Sequence, residues 1–232
     1  MTQRLSPHPD IFPPLHELEP VIWPGIVMLL FVGSGVITDV IILLAARLRL
    51  VDLPNRRSAH ALPTARGGGL AITFTVAVAT LGVVLRWPTM AMPLIVGTLL
   101  PCLAIATAGI IDDIRPLNAL LRLVIQVGAA GMIALVLGPL DTLSLPGLFS
   151  IPLGAAKWPL TILWIVGLTN AFNFMDGVDG MAATGAVIGG GAVALFGLWL
   201  WAPPAMILGA CVAAAAAGVL VFNWQPARIF MG

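Results

Sequence analysis

The chain has 232 residues, of which 59% are hydrophobic and only 9% charged, and its formal net charge is +1. Soluble domains carry about 25% charged residues, so this composition cannot cover a water-facing surface and points to a membrane protein. The net charge itself says nothing about nucleic acid, but the chain has no basic run that would track a phosphate backbone, and no nucleic-acid partner is expected.

Residues 1–20 are rich in proline and lack an apolar core, so they read as an irregular arm rather than a signal peptide, with His8 and His16 as solvated tail residues. Seven apolar stretches follow, near 21–46, 69–86, 91–111, 118–138, 158–175, 181–201 and 205–222. Each suits a hydrocarbon layer that needs about 20 helical residues. The expected class is therefore an all-α polytopic membrane protein, with residues 21–232 forming one helical domain. Asp39 falls inside the first stretch, where an acid is costly; a buried structural acid is expected, with a place beside a lipid channel as the alternative. Cys102 and Cys211 lie in apolar runs and show no disulfide or metal spacing. Gly189, Gly190 and Gly191 and the alanines at 213–217 permit close helix contact.

Orientation follows from the basic residues. Arg47, Arg49, Arg56, Arg57, Arg66, Arg115, Arg122 and Arg228 fall on one set of loops, and Arg4, Arg86 and Lys157 on the other. The first set is expected to be cytoplasmic, which leaves the N-terminus outside. Trp23, Trp87, Trp158 and Trp201 fall near the outer ends, where an aromatic belt accounts for them.

Three segments bring acids to the cytoplasmic side. The loop LVDLPNRRSAHALPTARGGG, 50–69, holds Asp52, Asn55, Arg57, His60 and Arg66. It reads as a positive-inside loop or as an anion-binding loop for a diphosphate or lipid phosphate. Its three glycines let backbone approach a ligand or another helix. The pair Asp112–Asp113, followed by Arg115, Asn118 and Arg122, sets two adjacent acids at a membrane boundary, where they repel unless a cation is near. In TNAFNFMDGVDG, 169–180, Asn170, Asn173, Asp176 and Asp179 recur every third residue. On a helix they would form a strip of oxygen donors of the kind magnesium takes.

The segments DLPNRRSAHALPTARGGG (52–69), IDDIRPLNALLRLVIQ (111–126), NAFNFMDGVDG (170–180) and FMG (230–232) resemble, in the same order, those of the polyprenyl-phosphate N-acetylhexosamine-1-phosphate transferase superfamily, bacterial glycosyltransferase family 4. The first segment is most similar to the branch that initiates O-antigen and related surface glycans. The resemblance implies transfer of an N-acetylhexosamine 1-phosphate from a UDP-sugar to undecaprenyl phosphate, with release of UMP, at the cytoplasmic face of the bacterial plasma membrane. Magnesium is the implied cofactor, with manganese as the alternative. By the same resemblance Asp112 and Asp113 are catalytic and Asp176 and Asp179 bind metal. Asp52, Asn55, Arg57, His60, Arg66, Asn118, Arg122, Asn170 and Asn173 bind substrate. The resemblance also implies ten or eleven spans, an acid after FMG and a later His-rich loop. The chain accordingly reads as C-terminally truncated. A catalytically inactive remnant or membrane partner subunit is the second reading. A flippase, which would line a midplane path with polar residues, is the third. The identity of the sugar and the oligomeric state, a homodimer included, stay open.

Overall fold

A computed structural model describes residues 22–48, 50–52, 63–145 and 149–232. The arm at 1–20 lies outside the described residues. Among the described residues, seven helices are long and apolar enough to cross a membrane, and the protein is an all-α polytopic membrane protein as its composition requires. They are α1 (Ile22–Leu48), α2 (Gly68–Arg86), α3 (Leu100–Ile114), α4 (Ala119–Leu137), α5 (Lys157–Met175), α6 (Met181–Trp199) and α7 (Pro203–Asn223). A more widely wound segment, Met92–Leu99, precedes α3 and completes a 23-residue span. It contains Pro93 and ends just before Pro101. Each proline removes an amide and crowds the preceding turn, which favours local widening of this kind.

The chain falls into two compact units, Met1–Ala91 with Met175–Gly232, and Met92–Phe174. In the first, α7 is the central helix and packs against α6, α1 and α2. Small residues make this close approach possible. A Cβ on Gly218 would sit 2.4 Å from the Phe31 carbonyl oxygen of α1, and one on Gly209 would sit 2.5 Å from the Ala194 nitrogen of α6. Ser34, fully buried on α1, donates its hydroxyl to the Ala215 carbonyl at 2.7 Å. Of the three consecutive glycines, only Gly190 meets α7; Gly189 and Gly191 face open space. The helical pitch separates neighbours by about 100° and explains why one of three contacts the partner.

Two short strands, absent from the sequence expectation, follow α1. β1 (Val51–Asp52) pairs antiparallel with β2 (Thr64–Ala65). Ile229 adds to Ala65 in parallel. Asp39 also departs from expectation: it is not buried. Its side chain is 48% exposed and pairs with Arg228 at 3.7 Å. Nine residues of α1 follow Asp39, and Arg228 lies five residues past the end of α7. The acid inside the span is thus met by a cation that reaches it from the segment beyond the end of α7.

In the second unit α4 packs on α3 and on the widened segment before it. Gly97 lies so close to α4 that an added Cβ would meet the Leu137 side chain at 2.9 Å. Between α4 and α5, β3 (Thr142–Leu145) pairs antiparallel with β4 (Phe149–Pro152), with Leu143 opposite Ile151 and Ser144 opposite Ser150.

Candidate active site

Within the first unit, the segment after α7 is fastened on both sides. The Phe230 amide donates to the Ala65 carbonyl at 2.8 Å. The Gly68 and Gly69 amides, the first of α2, donate to the Phe230 and Met231 carbonyls, each at 2.9 Å. From the opposite direction Asp176 accepts from the Met231 amide on Oδ1 and the Gly232 amide on Oδ2, each at 2.8 Å. Asp179 Oδ2 accepts from the Ala227 amide at 3.1 Å. Buried Asn223 donates its side-chain amide to the Ile229 carbonyl at 2.7 Å.

This arrangement explains the triple glycine. Gly67 takes a left-handed φ of 103°, a conformation that side chains disfavour. A Cβ on Gly68 or Gly69 would come within 3.1 Å of the Phe230 or Met231 carbonyl. Of the two partners the sequence left open for these glycines, the structure supplies a third: an extended backbone segment. The leading amides of α2, an anion site when free, are occupied by these carbonyls.

The strip of oxygen donors on one helix is corrected. Helix α5 ends at Met175, so Asn170 lies on the helix and Asp176 and Asp179 lie in the following turn. Val178 donates to Met175 and Met181 to Val178 across that turn. Gly180 closes it with a φ of 72°, and the Trp224 ring lies 3.4 Å from where its Cβ would be. Asn170 donates to Gln126 Oε1 and to the Val166 carbonyl, both at 2.8 Å. Asn173 is exposed on α5.

In the second unit, Asp112 and Asp113 occupy the last turn of α3. Asp112 Oδ1 accepts from the Leu117 amide at 2.7 Å, and Oδ2 pairs with Arg122 Nη1 at 2.8 Å. The cation that an adjacent acid pair requires thus comes from the first turns of α4. Asn118 is the N-cap of α4, accepting from the Leu120 amide at 2.9 Å. Capping accounts for its place at the start of an apolar run. Arg66 is partly buried, and its amide donates to the Leu50 carbonyl at 2.9 Å.

Asn55, Arg57 and His60 lie outside the described residues, and for Asp52 only the backbone is described, opposite Thr64 in the β1–β2 pair. Among the described residues no three His, Cys, Asp or Glu side chains gather as a metal cage. The donor chemistry still suits magnesium, which takes one or two carboxylates together with substrate phosphates. Asn223 and the run from Ala227 to Ile229 were not singled out from sequence. The signal was a lone asparagine ending an apolar run.

The architecture defines a multi-pass helical membrane protein in which each unit holds acids on backbone amides at its helix ends, joined by Arg122 in the second unit. The family follows from comparison with known proteins. The model for glycosyl transferase family 4 matches residues 95–232, and the chain belongs to that family. It is 37% identical over 198 residues to a probable undecaprenyl-phosphate N-acetylglucosaminyl 1-phosphate transferase of Bacillus subtilis, covering 85% of this chain and 54% of the relative. It is 33% identical over 207 residues to decaprenyl-phosphate N-acetylglucosaminephosphotransferase of Mycobacterium tuberculosis, covering 82% and 51%. It is 37% identical over 159 residues to a phospho-N-acetylmuramoyl-pentapeptide-transferase of Synechococcus elongatus, covering 60% and 42%. The chain spans about half the length of the curated relatives it matches.

Proposed function

We propose that the protein transfers N-acetylglucosamine 1-phosphate from the UDP-sugar to undecaprenyl phosphate at the cytoplasmic face of a bacterial plasma membrane, starting a surface glycan of the O-antigen type. The observation that carries this reading is the knot of 64–69, 176–179 and 227–232 at one end of a helical unit, in a chain of this family. The two N-acetylglucosamine relatives match 82–85% of the chain, against 60% for the muramoyl-pentapeptide relative, which favours that sugar.

In this reaction a lipid phosphate oxygen attacks the sugar-bearing phosphorus, and the bond from that phosphorus to UMP breaks. Positioning and charge neutralisation carry such a transfer. Asp112, held by Leu117 and Arg122, readies the lipid phosphate, and Arg122 offsets its charge. Asp113 acts beside Asp112 in catalysis, and Asp176 and Asp179 would hold magnesium. Magnesium supplies charge neutralisation at the phosphates when bound. Asp176, with both oxygens on backbone amides, orders the segment ending at Gly232. Arg57, His60 and Arg66 take part in binding the UDP-sugar.

The test is transfer of radiolabel from UDP-N-acetylglucosamine to undecaprenyl phosphate in detergent, using the protein as its whole reading frame encodes it. Lipid-linked label is expected with magnesium and none with a chelator. Label appearing only from another UDP-sugar would overturn the choice of sugar. Absence of transfer from every UDP-sugar would favour a non-catalytic partner subunit.

A further inference from the structure

The β3–β4 hairpin has a chemistry that the proposed reaction does not use. Its register sets Leu143 opposite Ile151 and Ser144 opposite Ser150. Side chains alternate across a strand, so Leu143, Phe149 and Ile151 share one face and Ser144 and Ser150 the other. The two serine hydroxyls meet at 2.8 Å. The three apolar side chains are 45–50% exposed. An isolated two-stranded hairpin is marginal in water, so this face needs a cover.

Three observations fix what covers it. First, residues 142–156 contain no charged side chain. The flanking charges, Asp141 and Lys157, pair with each other at 2.8 Å at the base. Second, the base is pinned to a membrane helix: Leu153 donates to the Asp141 carbonyl, and the Leu140 amide donates to Thr161 Oγ1 in the early turns of α5, each at 2.9 Å. Only residues 138–141 separate α4 from β3, a reach of at most about 14 Å. The hairpin therefore stays within the boundary region at the ends of α4 and α5. Third, the apolar residues that flank the hairpin in the chain are themselves open to the surroundings, with Leu137 at the end of α4, Leu140 in the connection and Trp158 and Leu160 at the start of α5 all 39–49% exposed.

We propose that the hairpin lies in the outer membrane–water interface, with Leu143, Phe149 and Ile151 against lipid and the serines toward water. It cannot sink into the hydrocarbon, because both strands are edges whose outward amides and carbonyls need water or headgroups. An amphipathic element of this kind binds by its apolar area at the headgroup–acyl boundary.

The test places a nitroxide label at single cysteines at 144, 149, 150 and 151 in a C102S/C211A background, with the full chain in phosphatidylethanolamine–phosphatidylglycerol liposomes. Oxygen, which concentrates in lipid, should collide with labels at 149 and 151 severalfold more often than with those at 144 and 150. A water-soluble nickel chelate should show the reverse. Two apolar positions keep the result readable if one substitution disturbs the hairpin. Equal access to the nickel chelate at all four positions would overturn the proposal in favour of a hairpin standing in water. Low access to both reagents at 149 and 151 would overturn it in favour of a protein cover, and spin–spin broadening there would identify the cover as a second copy.

Discussion

Asp176 shows how a side chain's partners decide its role. Its two oxygens each accept a backbone amide, from Met231 and from Gly232. Hydrogen bonds to a charged group contribute about 1.5–3 kcal/mol each. Asp176→Ala, which removes two such bonds, should therefore loosen the 230–232 segment by roughly 3–6 kcal/mol. Asp176→Asn should not restore it, because one acceptor becomes an NH2 group facing an amide N–H. The measurement is thiol labelling of a cysteine at 231 in a C102S/C211A background. Labelling should quicken in both variants, more in the alanine one. Unchanged labelling would show that Asp176 does not hold the segment. The same logic applies at Asp112, where Arg122 and the Leu117 amide share the carboxylate.

At the scale of elements, close helix contact depends on which face a glycine presents. A Cβ on Gly190 would lie 2.8 Å from the Ala213 nitrogen and 2.9 Å from the Gly209 oxygen, both backbone atoms that cannot swing aside. Gly190→Ala should cost about 1–3 kcal/mol by forcing α6 from α7. Gly189→Ala meets nothing within 4 Å and should be neutral or stabilise by up to about 1 kcal/mol through helix propensity. Thermal unfolding in detergent of the two variants checks this. Equal effects would mean that α6 does not cross α7 at Gly190. The helices themselves were legible in the sequence: 69–86 and 118–138 stand against Gly68–Arg86 and Ala119–Leu137. A hydrocarbon layer leaves few alternatives to an apolar helix. The resemblance gave Asn118 to substrate binding, and its N-cap role went unread although capping is local and leaves its signal in an asparagine that opens an apolar run. The two-residue strands and the bonds from Asp176 to residues 55 and 56 positions away were not legible, because nothing in a local pattern names a distant backbone partner. The β3–β4 hairpin carried a period-two signal in TLSL and FSIP, but four residues a side is too short to stand out against its apolar surroundings.

At the scale of the whole molecule, the remaining question is which way the chain lies in the bilayer. Eight of the eleven basic residues fall on the loops that carry the acid motifs, and three on the other set. Cytoplasmic loops collect Lys and Arg, so the acid motifs should face the cytoplasm, where a UDP-sugar is available. Gly177 is a suitable reporter: it is exposed in the turn after α5, and a Cβ there meets nothing within 4 Å. Ser150, exposed on the polar face of the hairpin, reports the opposite side. In a C102S/C211A background, a membrane-impermeant maleimide applied to intact cells should label a cysteine at 150 readily. It should reach a cysteine at 177 only after permeabilisation. The reverse pattern would place the acid motifs outside, away from any cytoplasmic nucleotide sugar, and the transferase reading would fail with the orientation. Labelling of both positions from outside would mean that the chain between them does not cross the membrane an odd number of times, which contradicts α5 as a span.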